Sequence, residues 1–281
     1  MSEFRAGIPF RLEGLRTPIF RILGHNPGPM TGPGTNSYLI GRNRRCLLDP
    51  GPDDEQQLES LLAALDGAGL DVILVTHTHR DHSPLAARLA RLTGAELVGL
   101  PAPDAPGQDP GFRPSKAWRH DDVVEVDGLR LRVIHTPGHV SNHLCYLLEE
   151  EKLLFTGDHV LQGTTPVILP PDGDMGHYLD SLTYLQTLDL AWLAPGHGDL
   201  MARPQEELAA LIAHRRGREE KIVTALNRLG GGTEEELLRE VYADVAAHLL
   251  PWARKTQLAH LLKLQREGRA ALAAGQWRAL A

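Results

Sequence analysis

The sequence predicts an α/β protein that carries a small helical module at its C-terminus. Residues 1–200 alternate short apolar runs with Gly- and Pro-rich loops and a few helical patterns, which is typical of an α/β fold. After about Arg203, Gly and Pro become less frequent and helical periodicity dominates. We therefore predict two domains, residues 1–203 and residues 204–281, and the apolar content of 42% is ample for a core.

The first elements are a pair of strands and a helix. Residues 37–41 (SYLIG) and 46–51 (CLLDPG) are apolar runs on either side of the polar turn RNRR, so we expect them to pair. In residues 53–69, apolar side chains recur at helical spacing, and Gly69 ends the pattern.

The next strands each end at a His- or Asp-bearing loop. Residues 71–77 form a continuous apolar run of the buried kind, and a helical pattern follows over residues 84–94. An Asp-Gly turn joins two alternating runs in residues 123–139, which predicts a hairpin. Residues 143–159 contain another strand pair, and residues 188–200 are apolar up to a His-bearing loop. We therefore expect these polar loops to gather along one edge of the sheets.

The C-terminal module has the pattern of a winged helix. Its three helical patterns cover residues 205–230, 233–250 and 251–268. Thr233 and Glu236 have the spacing of a capping box, and Pro251 stands where a helix begins. The last residues, 269–280, are long enough for a small β-hairpin wing. We predict a winged-helix-like domain.

The charge is unevenly distributed along the chain. The net charge is −7, but residues 1–202 hold 16 basic and 26 acidic side chains, whereas residues 203–281 hold 13 basic and 10 acidic ones. The acidic main body does not favour a broad nucleic-acid surface. Only the tail is mildly basic.

Two further features bear on cellular location. Cys46 and Cys145 each lie in an apolar run, which predicts reduced thiols in the core. The N-terminus lacks the layout of a signal peptide, and no stretch approaches the ~20 apolar residues of a membrane span. We predict a cytoplasmic protein.

A cluster of metal-ligand residue types follows the strand at residues 71–77. Three histidines and an aspartate, His77, His79, Asp81 and His82, fall within six positions. Three more candidate ligands, His139, Asp158 and His197, each follow another predicted strand. Imidazole and carboxylate ligands together suit Zn²⁺, with Mn²⁺ and Fe²⁺ as alternatives.

These segments resemble the metallo-β-lactamase-fold superfamily over residues from about 20 to 202. The resemblance implies an αββα sandwich of two mixed sheets flanked by helices. It also implies two metals: His77, His79 and His139 would hold the first, Asp81, His82 and His197 the second, and Asp158 would bridge them. Asp49 matches an aspartate that supports the ligand loop without binding metal.

The same resemblance implies a hydrolytic mechanism. Two adjacent metals can share a water molecule, lower its pKa toward neutrality and so supply a bridging hydroxide. Asp81 is the candidate catalytic residue, because a ligand that also faces this water can orient it and move its proton.

The bridging position points to one branch of the superfamily. Zinc β-lactamases typically have Cys or Ser where this chain has Asp158, which resembles the branch of thioesterases, lactonases, phosphodiesterases and ribonucleases. Residues 24–41, the ligand loops and the C-terminal module together resemble a subgroup that includes a single-strand-specific endoribonuclease. The first expectation is thus hydrolysis of single-stranded RNA. The alternatives are a thioesterase or lactonase and, outside enzymes, a nucleic-acid-binding scaffold.

Candidate substrate contacts are fewer than candidate ligands. Asn36 either caps a turn or contacts substrate, and His143 either packs in the core or reaches a substrate phosphate or leaving group. Residues 168–182 form a lid of the pocket or a plain connection. The tail either covers the catalytic domain, with a homodimer contact as one alternative, or positions substrate phosphates through basic side chains: Arg254, Lys255, Lys263, Arg266 and Arg269.

Overall fold

The computed structural model describes residues 5–280, which form two compact units. The first unit contains the chain up to Thr136, Asn142–Thr165 and Asp189–Pro204. The second contains Pro137–Ser141, Pro166–Leu188 and the chain from Gln205 onward. The second unit thus includes two segments from within the predicted first domain, and a boundary at 203/204 stays a prediction.

The first unit contains a six-stranded mixed sheet. Its strands are β1 (Phe10–Arg11), β2 (Ile19–Leu23), β3 (Asn36–Ile40), β4 (Arg44–Leu48), β5 (Gly69–Leu74) and β6 (Glu96–Val98), in that spatial order. Strands β1 to β4 pair antiparallel, and β4, β5 and β6 pair parallel. The parallel pairs need crossover helices, which are α1 (Glu55–Leu65) and α2 (Ala86–Thr93).

A second mixed sheet has five strands in the order β11-β10-β9-β8-β7. These are β7 (Val123–Val126), β8 (Leu129–His135), β9 (Leu144–Leu148), β10 (Leu153–Gly157) and β11 (Trp192–Pro195), with a 3₁₀ turn at Glu149–Glu151. Only β10 and β11 pair parallel. The hairpin predicted at the Asp-Gly pair is confirmed, with Val126 opposite Leu129.

Apolar side chains fill two cores in the first unit. One core joins residues of both sheets, among them Tyr38, Leu74 and Phe155. The other packs α1 and α2 against the first sheet. Cys46 and Cys145 are buried and free, as predicted, and burial raises the pKa of the Cys145 thiol to about 12.

The second unit contains the predicted winged-helix module. The elements of the second unit are α3 (Met175–Gln186), α4 (Pro204–Leu229), α5 (Glu234–Val241), a 3₁₀ turn at Ala247–Leu249, α6 (Leu250–Arg266), β12 (Ala270–Ala273) and β13 (Gln276–Ala279). The capping box of Thr233 and Glu236 is present, and Pro251 lies in the first turn of α6. The hairpin of β12 and β13 is the wing, and its Trp277 is buried in the core of this module.

Within the described residues, none of the helices combines the length and the apolar character that crossing a membrane requires.

Candidate metal centre

Backbone hydrogen bonds hold the loop that follows β5 and carries the histidine string. His82 N donates to His79 O at 3.0 Å, and Gly51 N donates to His82 O at 2.9 Å. Asp109 N donates to Thr78 O at 2.6 Å, so a neighbouring loop also holds the stretch. The loop therefore presents its side chains from a tightly hydrogen-bonded frame.

One group of four side chains has the spacing of a metal site. His82 Nε2 lies 3.5 Å from Asp81 Oδ2 and 3.4 Å from Asp158 Oδ1. His197 Nε2 lies 3.3 Å from Asp81 Oδ2 and 3.4 Å from Asp158 Oδ1. Ligands about 2.0–2.1 Å from a tetrahedral zinc ion lie about 3.3–3.4 Å from one another. The group therefore fits a metal ion, and both imidazole atoms are buried without a hydrogen bond.

A second group shares Asp158 with the first. Ligand atoms of His77, His79 and Asp158 all lie within 4.8 Å of one another, and His77 Nε2 is 2.9 Å from His79 Nδ1. Asp158 therefore belongs to both candidate groups. His139 lies on the segment Pro137–Ser141 of the second unit, where its Nδ1 is 2.7 Å from Val167 O.

Asp49 contacts the histidines of both groups, directly or through Thr76, from a buried position. Its Oδ2 lies 2.9 Å from His82 Nδ1 and accepts from Thr76 Oγ1 at 2.7 Å, while Oδ1 accepts from Thr76 N at 2.7 Å. Thr76 Oγ1 in turn lies 3.0 Å from His77 Nδ1. Such partners orient a metal-binding histidine and set its tautomer. Thr76 was not among the residues predicted from the sequence, although it directly precedes the histidine string.

The charges around the centre oppose one another. Burial alone lowers the pKa of His82, but Asp81 and Asp158 outweigh it and hold the pKa well above its usual value. The same balance raises the pKa of His197. Burial raises the pKa of Asp81, but His82 and His197 outweigh it and lower that pKa. Metal ligands must be deprotonated, so a metal bound here would release protons, and its binding would weaken as the pH falls.

Two positions beside the candidate ligands have room only for glycine. A Cβ on Gly196 would lie 2.8 Å from both Asp158 Oδ1 and His82 Cε1. Gly157 has φ +46°, and a Cβ there would lie 2.6 Å from Thr76 Oγ1. These glycines directly precede His197 and Asp158, so the Gly-His and Gly-Asp pairs were the sequence signal that could have identified them.

Asn36 contacts the loop that carries His197, and the substrate contact suggested from the sequence stays a prediction. Its side chain is buried, and its Nδ2 donates to Pro195 O at 3.0 Å and to Gly198 O at 2.8 Å. These two carbonyls flank His197 in the chain. Asn36 therefore braces the loop that carries this ligand.

His143 is buried behind the ligand loop. It is 0% exposed, and its Nδ1 lies 2.9 Å from Thr136 Oγ1. Its ring stacks on His77 with 5.2 Å between centroids and 29° between planes. The core position was one of the two sequence-based alternatives, and a direct contact to a substrate phosphate conflicts with this burial.

The other candidate contacts lie in the second unit. Residues 175–182 of the suggested lid, which covers residues 168–182, belong to α3 (Met175–Gln186). Four of the five basic tail residues lie near carboxylates. Lys263 and Arg269 pair with Glu219, and Arg266 pairs with Asp174. Arg254 lies 3.9 Å from Glu234 and from Glu235. Lys255 Nζ lies 5.4 Å from the centre of the Trp252 ring. The tail therefore carries less available positive charge than its sequence suggests.

Comparison with known families identifies both parts of the chain. The family model described as the metallo-beta-lactamase superfamily matches residues 30–197, and the one described as the beta-lactamase associated winged helix domain matches residues 233–277. The chain is 34% identical over 258 residues to the atrochrysone carboxyl ACP thioesterase of Aspergillus fumigatus, covering 84% of this chain and 78% of the relative. It is 32% identical over 261 residues to the beta-lactamase-like protein 2 homolog of Caenorhabditis elegans, covering 90% and 84%.

A solved structure shares the fold over nearly the whole chain. The metallo-beta-lactamase family protein from Thermus thermophilus superimposes with a TM-score of 0.76 and 24% identity, covering 93% of this chain and 98% of that one. At this identity the likeness concerns the fold alone. It confirms the prediction of a two-sheet α/β domain followed by a winged helix.

Proposed function

The chain belongs to the metallo-β-lactamase superfamily and is a hydrolase of that family, and on this premise we propose that it hydrolyses thioesters at a centre of two divalent metals. The observation that carries the thioester assignment is the 34% identity to a protein named as a thioesterase. The relationships thus support the thioesterase alternative better than the expectation of an RNA substrate. That expectation has no support among the relatives described above.

The proposed metals would be held by the side chains of the two groups. Asp81, His82 and His197 would bind one, His77, His79 and His139 the other, and Asp158 both, with the place of His139 resting on the family resemblance. We propose zinc, because nitrogen and oxygen ligands suit it, and Mn²⁺ or Fe²⁺ are the alternatives. When bound, the two metals polarise the substrate carbonyl and acidify the attacking water.

Asp81 is the proposed catalytic residue. Its side chain is 28% exposed, whereas those of Asp158 and His197 are 13% and 7% exposed. An ionised carboxylate at the solvent side of the centre can accept a hydrogen bond from the incoming water and then its proton. Before metal binds, His82 and His197 lower the pKa of Asp81, so this carboxyl is already ionised.

The burial of His143 supports a substrate with a good leaving group. A thiol has a pKa of about 8.5, so a thioester expels a thiolate with little need for a proton donor. Cleavage of RNA expels an alkoxide, a poorer leaving group that has to be stabilised by a general acid or a metal ion. His143 was the sequence-based candidate for reaching a leaving group, and it is fully buried.

The ion pairs of the tail point the same way. An RNA substrate needs basic side chains that are available to phosphates. Lys263 and Arg269 are instead engaged by the carboxylate of Glu219, at 2.9 Å and 2.8 Å. A neutral thioester needs no such surface.

A substrate panel tests the proposal. Metal-loaded protein is assayed with an acyl-pantetheine thioester, a lactone series and a fluorescent single-stranded RNA. We expect metal-dependent thioester hydrolysis that Asp81→Ala abolishes and that Asp104→Ala, at an exposed loop position, leaves unchanged. RNA cleavage that requires Asp81, without thioester turnover, would replace the proposal by the endoribonuclease alternative.

A further inference from the structure

The side chain of His139 is oriented by a backbone carbonyl. Its Nδ1 lies 2.7 Å from Val167 O, so Nδ1 carries the proton and donates it to that carbonyl. This tautomer leaves Nε2 without a proton, which is the state that a metal requires. The position of the Val167 carbonyl therefore determines the orientation of the His139 ring.

A buried arginine of α4 holds the neighbouring carbonyl. Arg215 is 3% exposed and donates from Nη2 to Pro166 O, one residue before Val167. Its guanidinium carbon also lies 5.4 Å from the centre of the Tyr178 ring. Tyr178 packs so closely on Gly138 that a Cβ there would lie 2.4 Å from the Tyr178 Cα. Arg215 thus contacts groups on both sides of His139.

A second arginine, from α6, acts on the backbone beside His139. Arg266 pairs with both carboxylate oxygens of Asp174, with Nη2 to Oδ1 at 2.8 Å. Asp174 N donates to Gly138 O at 2.8 Å, and the Asp174 side chain accepts from His177 N at 3.0 Å to cap α3. A bidentate pair fixes the carboxylate in direction as well as distance. The residue before His139 is therefore tied to α6 through Asp174.

We propose that Arg215 and Arg266 are positioning residues that hold the His139 ring in the orientation and tautomer required for metal binding. This gives the C-terminal helices a task in the hydrolase that does not involve nucleic acid. The inference rests on the proposed role of His139 as a metal ligand. It is otherwise independent of which substrate is hydrolysed.

Metal affinity tests the inference without any substrate. The full chain is loaded with Co²⁺, and the affinity of each of the two sites is measured by chelator competition through the absorption bands of bound Co²⁺. We expect Arg266→Gln and Arg215→Lys each to weaken one of the two sites by about 10- to 100-fold and to leave the other within about twofold. Arg266→Lys should recover part of the loss, because lysine keeps the charge but not the bidentate geometry.

Two control variants separate the ways in which the inference can fail. Arg254 lies in α6, the helix that also contains Arg266, and is 3.9 Å from Glu234 and from Glu235. Arg254→Gln should leave the Co²⁺ affinity of both sites unchanged. His139→Ala must weaken the same site as the arginine variants, and if it does not, the ligand assignment fails. If His139→Ala weakens one site but the arginine variants lower only the thermal stability, the positioning role is overturned.

Discussion

Asp49 Oδ2 lies 2.9 Å from His82 Nδ1, and both side chains are buried. The same oxygen accepts from Thr76 Oγ1, which lies 3.0 Å from His77 Nδ1. One carboxylate thus orients one histidine of each ligand group, so the two proposed metals share a support. Removing its charge should therefore affect both.

Asp49→Asn keeps the shape of this side chain but removes the negative charge that faces His82 Nδ1 and Thr76 Oγ1, and Thr76 in turn contacts His77. We expect the affinity for both metals to fall by about 10- to 100-fold, measured by zinc competition with a chromophoric chelator. Asp71 lies on β5 and pairs with exposed Arg44. Asp71→Asn is the matched control and should leave the metal affinity unchanged. Unchanged affinity in Asp49→Asn would show that Asp49 does not support the centre.

Gly196→Ala should damage the centre through a steric contact. The added methyl group would lie 2.8 Å from Asp158 Oδ1 and from His82 Cε1, so one of the two must move. We expect loss of at least one bound metal by elemental analysis. Gly217→Ala in α4 meets no atom within 4 Å and should retain both metals, with stability unchanged or higher. Full metal content in Gly196→Ala would contradict the described packing.

Acid should weaken the second unit through Glu219. Burial raises the pKa of this carboxyl, but His260, Lys263 and Arg269 outweigh it and lower the pKa to about 2. A folded-state pKa below the unfolded value of 4.5 contributes stability above pH 4.5 that is lost as the pH falls toward 2. Glu219→Gln should cost about 1–2 kcal/mol at pH 7, since the cluster is partly exposed to solvent.

Urea unfolding of both proteins at several pH values measures this difference. We expect the gap between wild type and Glu219→Gln to be constant from pH 7 down to about pH 5 and to shrink below that. A gap that stays constant down to pH 2.5 would mean that the negative charge of Glu219 does not contribute to the stability.

Removing the metals should destabilise the folded protein. A metal at 100 times its dissociation constant adds about 2.7 kcal/mol per site to the free energy of unfolding. Dialysis against a chelator should therefore lower the melting temperature, and added metal should restore it. The carboxylates raise the pKa values of His82 and His197, so metal must displace protons and the increase should be smaller at pH 5.5 than at pH 7.5. Equal melting temperatures with and without metal would exclude a structural metal centre.

The sequence predicted local features of this fold well because they depend on short spacings. The capping box at Thr233 and the Asp127-Gly128 hairpin both need residues within a few positions of one another. The two-sheet architecture followed from the resemblance carried by the ligand loops. The string from His77 to His82 carried that resemblance, and four of the proposed ligand atoms lie 3.3–3.5 Å from their neighbours.

The remaining features depend on partners that are distant in sequence. Asn36 reads as an accessible loop residue, but it hydrogen bonds to carbonyls about 160 residues away, at Pro195 and Gly198. The positive charge of Arg266 is engaged by Asp174, 92 residues earlier. Neither periodicity nor motif spacing contains such pairings, so the partners of Asn36 and Arg266 could not be predicted from the sequence.

The central claim is that two bound metals support thioester hydrolysis. Metal-free protein is titrated with Zn²⁺ while the hydrolysis of an acyl-pantetheine thioester is followed by release of the free thiol. We predict that the rate rises to a plateau at two equivalents of metal. Asp81→Ala should bind one of the metals more weakly and show no activity above background even at a metal concentration that fills both sites. No thiol release at any metal content, from protein shown to have bound two equivalents, would contradict the claim.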